Sequence, residues 1–105
     1  MVSNYKIIFT KSSVKELEDI FNYIDKELYA PKTAKDLMKK IYDSIDNLKY
    51  MPKVGKIIKK YNELELEYRK LSIKKYAIVY TINEIENKVY IVHMYHEKRD
   101  YLNLF

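Results

Sequence analysis

Cysteine and tryptophan are absent from this chain of 105 residues, which has a single glycine and two prolines. Without thiols there are no disulfides and no thiolate metal sites, as is usual in a reducing, cytoplasmic setting. The two histidines, His93 and His96, lack the spacing of a zinc-binding pair, so neither a metal nor a cofactor is expected. No apolar run approaches the roughly 20 residues needed to span a bilayer. The opening MVSNYKIIFT has no basic n-region and no long apolar h-region, which argues against a signal peptide. Repeats, low-complexity tracts and flexible linkers are missing as well. A secreted disulfide scaffold, a zinc module and a membrane-spanning helix are thereby set aside.

What is present suits a folded domain. Apolar residues make up 48% and charged residues 33%, too apolar a balance for a disordered chain. The length leaves room for one small core, so residues 1–105 are expected to form a single domain. The net charge of +5 is unevenly spread: 8 basic and 8 acidic residues cancel between Lys11 and Met51, whereas Pro52 to Phe105 holds 11 basic and 7 acidic ones. The excess is densest in KVGKIIKKY and YRKLSIKKY. A one-sided cationic surface attracts phosphate or an acidic protein partner.

Periodicity organises the rest. Asn4 to Thr10 reads as a short strand. Ser13 followed by Glu16 has the pattern of a capping box, and Val14, Leu17, Phe21, Ile24 and Leu28 recur at helical spacing behind it. Pro31 suits the first turn of a second helix, whose stripe is Ala34, Leu37, Met38, Ile41, Ile45 and Leu48. Pro52 and Gly55 end it. LEYRKLSI, Tyr76 to Ile82 and Lys88 to Tyr95 read as strands, the last two apolar on both parities, as covered central strands are. The order β-α-α-β-β-β predicts an α+β domain, a helical hairpin packed on one face of a mostly antiparallel sheet. The other face is expected to be partly open and edged by basic segments.

Chemistry concentrates at the end, in YHEKRDYLNLF. On a continuous strand His93 and His96 have opposite parity and point to opposite faces. His93, among Ile91, Val92 and Met94, reads as a half-buried structural residue; His96 is open to solvent. Metal-independent RNA cleavage needs an acid, a base and cations to stabilise the phosphorane. His96, Arg69, Arg99 and Tyr101 supply those residue types. Lys70, Lys74, Lys75, Lys98 and Arg99 form the candidate surface for a target or protein partner. Tyr61, Tyr68, Tyr76 and Tyr80, part of an abundant set of 12 tyrosines, lie among these cations. They suit either base stacking or an amphipathic role in the sheet.

Order and motifs together resemble the RelE/ParE superfamily of toxins from bacterial toxin–antitoxin modules, over nearly the whole chain. The resemblance rests on P-x-x-A from Pro31 to Ala34, L-x-x-x-P from Leu48 to Pro52 and R-x-L from Arg69 to Leu71. An aromatic-rich strand from Tyr76 to Tyr80 and a histidine-then-basic ending from His96 to Tyr101 complete it. It implies the β-α-α-β-β-β fold, growth inhibition, and a short, acidic, partly disordered antitoxin that wraps and neutralises the toxin. RelE-like members cut messenger RNA on the ribosome and carry an arginine directly after the aromatic that starts the third strand; here Ala77 stands there. Losing one such charge stabiliser typically costs ~10²–10³ in rate. The hairpin and the HE-basic-Asp ending look more like the ParE branch, which inhibits DNA gyrase.

Overall fold

In the computed structural model, residues 4–61 and 66–98 are described. They form β1 (Lys6–Phe9), α1 (Lys11–Asn22), a π-helical turn (Tyr23–Glu27), α2 (Pro31–Asn47), a 3₁₀ turn (Pro52–Val54), β2 (Lys56–Tyr61), β3 (Leu66–Ile73), β4 (Tyr76–Asn83) and β5 (Lys88–His96). The sheet order is β1-β5-β4-β3-β2, with β1 parallel to β5 and every other neighbour antiparallel. The expected α+β class holds, with two helices against a mostly antiparallel sheet. The sheet has one strand more than the sequence pattern suggested. KIIKKY forms β2 at the edge, where lysines blunt further pairing and their charge masks the two-residue period.

The N-cap of α1 lies three residues before the expected one. Thr10 is the N-cap: its Oγ1 accepts from the Ser13 N–H at 3.2 Å, and the Ser13 hydroxyl donates to the Thr10 carbonyl at 2.8 Å. Ser13 is therefore inside the first turn and buried, which turns Val14 to solvent. Glu16, released from capping, reaches β5. Its Oε1 accepts from the Met94 N–H and sits 3.2 Å from His93 Nδ1. β1 stops opposite Ile91, so the edge of β5 beyond it lacks a ladder partner, and a helix carboxylate fills the place.

The π turn adds a residue to the end of this helix, with the Leu28 N–H donating to the Tyr23 carbonyl, five residues back. Leu28 is thereby rotated off the core face that Leu17 and Ile24 occupy. α2 matches its sequence pattern closely: Pro31 opens it, and Ala34, Leu37, Ile41, Ile45 and Leu48 are all buried. They meet Ile78, Tyr80, Val89, Ile91 and Met94 from the sheet in the main core. A smaller cluster of Ala77, Val79 and Tyr95, flanked by Ile58, Tyr68 and Val92, lies on the other sheet face. No helix among the described residues is long and apolar enough to cross a membrane.

Candidate functional site

Arg69, the first of the candidate cations, faces the helices. It pairs with Tyr80 across the β3–β4 ladder, and its guanidinium donates to the carbonyls of Gly55 at 2.8 Å and Lys53 at 3.1 Å. The Tyr80 hydroxyl lies in the same corner. It donates to the Pro52 carbonyl at 2.6 Å and accepts from the Gly55 N–H at 2.9 Å. Gly55 is required there because a Cβ would meet the Tyr80 oxygen at 2.5 Å. Burial raises the Tyr80 pKa, partly offset by the Gly55 N–H and the Arg69 charge. The motif residues Leu48, Pro52, Arg69 and Tyr80 therefore lock the end of α2 onto the sheet.

His96 is at the opposite end of the sheet. It pairs with Tyr76 across β4–β5, the rings edge to face with centroids 5.3 Å apart, and its Nδ1 accepts from the Lys98 N–H at 3.2 Å. Four residues of β4 separate the registers of Arg69 and His96, roughly 13 Å along the strands. Core side chains fill the interval. The two are not brought into one site. Arg69 also cannot stand in for the arginine missing at Ala77, because Ala77 belongs to the cluster on the far face. Arg99 and Tyr101 lie outside the described residues.

Of the other cations, Lys70 pairs with Val79 and with Lys56, so alternation places it on the face away from the helices. Lys74 and Lys75 form the β3–β4 turn, where the Lys75 carbonyl accepts from the Glu97 N–H at 2.8 Å. His96, Lys74 and Lys75 thus meet at one end of the sheet, beside a groove of about 990 Å³ that runs to Tyr23, Ile24, Leu28 and Lys40 of the hairpin. Sequence reasoning missed Lys40 and Tyr23, since only the hairpin's docking brings them near the β3–β4 turn. His93 is half-buried against Glu16, the structural role expected of it. Tyr80 and Tyr76 prove to be packing residues of the main core.

The fold and the motif residues define a two-helix, five-strand toxin architecture. The profile of the ParE toxin of type II toxin–antitoxin system, parDE, matches residues 7–101, and the chain belongs to this family. It is a toxin of a type II toxin–antitoxin system. Among solved structures it is similar to the chromosomal ParDE system of P. aeruginosa, at a TM-score of 0.68 and 12% identity over 88% of this chain and 95% of that one. It is similar also to the RelE–RelB complex of Pyrococcus horikoshii OT3, at 0.62 and 19% over 92% and 99%. The RelBE2 toxin–antitoxin complex of Mycobacterium tuberculosis matches at 0.58 and 17% over 91% and 94%. At these identities the likeness concerns the fold. No curated protein sequence matches the chain.

Proposed function

We propose that the chain acts in the cytoplasm as a single toxin domain that arrests growth by binding DNA gyrase rather than by cutting RNA. The observation that carries this reading is the use of Arg69. Its guanidinium is committed to two backbone carbonyls and stands far from His96. The described residues therefore supply no guanidinium next to the His96 imidazole, and a phosphorane there would lack its main charge stabiliser. Lys70, Lys74, Lys75 and Lys98 then act as contact surface. A short, acidic, partly disordered antitoxin neutralises them on binding, in keeping with the net charge of +5.

The test is pulse-labelling of new DNA and new protein within minutes of inducing the chain without antitoxin. Failure of DNA synthesis while translation continues is the expected result. Early collapse of translation, with messenger ends at codon positions, would instead establish a ribosome-dependent endoribonuclease using His96 with Arg69, Arg99 and Tyr101.

A further inference from the structure

Lys40 on α2 and Lys74 on the β3–β4 turn line the same groove from its two sides, and both also border the neighbouring hollow beside Asp43 and Ser72. The Lys40 pKa is lowered by Lys74, and Asp36 only partly offsets this. Neither lysine makes an ion pair among the described residues, whereas Lys39, next to Lys40, is paired with Asp43. Lys74 is moreover held at φ 57°, a left-handed conformation that costs a side-chain-bearing residue free energy. Beside the pair stand the Tyr76 and His96 rings, with the Tyr23 ring half-exposed.

We propose that this groove is a binding site for a single strand of nucleic acid, with Lys40 and Lys74 gripping one backbone phosphate and the adjacent rings receiving a base. A phosphate carries enough oxygens to accept from two converging ammonium groups, and its charge removes their mutual repulsion. One carboxylate of an acidic peptide answers a single lysine equally well and gives no reason for the pairing. Aromatic faces next to cations accept any base. The site lies on the helical side of the sheet, away from Lys70 and the second cluster, and does not depend on which target is arrested.

The test is fluorescence anisotropy of a labelled oligothymidylate with the full-length protein over a series of salt concentrations. Lys40→Gln/Lys74→Gln is expected to weaken binding about tenfold and to reduce the salt slope by about 1, the loss expected for phosphate-contacting lysines. Lys6→Gln/Lys11→Gln removes the same charge near the opposite edge of the sheet and is expected to change affinity less than about twofold. Tyr23→Ser is expected to weaken binding about fivefold through lost stacking, with circular dichroism confirming that each variant is folded. No binding of the oligonucleotide, equal losses from the two double variants, or equal displacement by polyglutamate at matched charge would each overturn the proposal.

Discussion

Tyr80 and Tyr76 stand four residues apart on the same face of β4 and live in different environments. Tyr80 is fully buried, and its hydroxyl joins a carbonyl and an N–H from the segment that follows α2. Tyr76 is partly open, edge to face with His96, in a groove that Lys40, Lys74 and Lys75 also line. Burial raises both phenol pKa values. At the Tyr80 corner polar groups answer one another, with Gly55 at φ −74°; the one positive φ among the described residues at this end is that of Asn87 in the β4–β5 turn, a residue type that tolerates it. At the Tyr76 end Lys40 and Lys74 line one groove, and both Tyr29 and Lys74 hold positive φ. One end stabilises the fold; the other spends some of that stability on presenting charge and aromatic surface.

The largest expected effect that could break this contrast is Tyr80→Phe. It strands a buried carbonyl and a buried N–H, and a loss of about 3 kcal/mol in urea unfolding is expected. A loss near zero would show that the corner is not the anchor. The same residue gives an alkaline signature. Its folded pKa is raised, so its contribution is complete below the unfolded tyrosine value of about 10 and is lost as pH rises through the folded one. The wild-type advantage over Tyr80→Phe should therefore shrink above pH ~10.

Arg69→Met comes next. It removes both guanidinium contacts, and about 1–2 kcal/mol is expected to be lost in the same assay. Arg69→Lys should recover only part, since an ammonium cannot span both carbonyls as the planar fork does. At the open end the sign reverses. Tyr29, exposed and at φ 51°, is expected to gain about 1 kcal/mol on replacement by glycine, seen as a higher thermal midpoint. Smallest of all, Tyr76→Phe should shift stability by less than about 0.5 kcal/mol. A larger effect would mean that its hydroxyl has a structural partner and that the two ends are more alike than their exposure indicates.

Much of the fold was legible in the chain. The α2 stripe survives residue by residue because a straight helix against a sheet preserves the 3.6-residue period. β3 matches its expected span, and β4 and β5 each extend one residue past theirs. The α1 stripe was readable only in part. Thr10 took the cap from Ser13 because Glu16 had a stronger use on the open edge of β5, a competition invisible without the tertiary partner. β2 was hidden by its lysines. Among site residues, the parity argument separated His93 from His96 correctly, yet chain proximity and residue type could not reveal that Arg69 is occupied.

The sequence by itself determined the class of fold, the surplus of positive charge in its second half and the family to which the chain belongs. These depend on period, composition and motif order, all local or additive properties. Only the tertiary structure decided that Arg69 and His96 stand apart and that Lys40 and Lys74 line one groove. Such relations depend on strand register and helix docking, which bring together residues far apart in the chain.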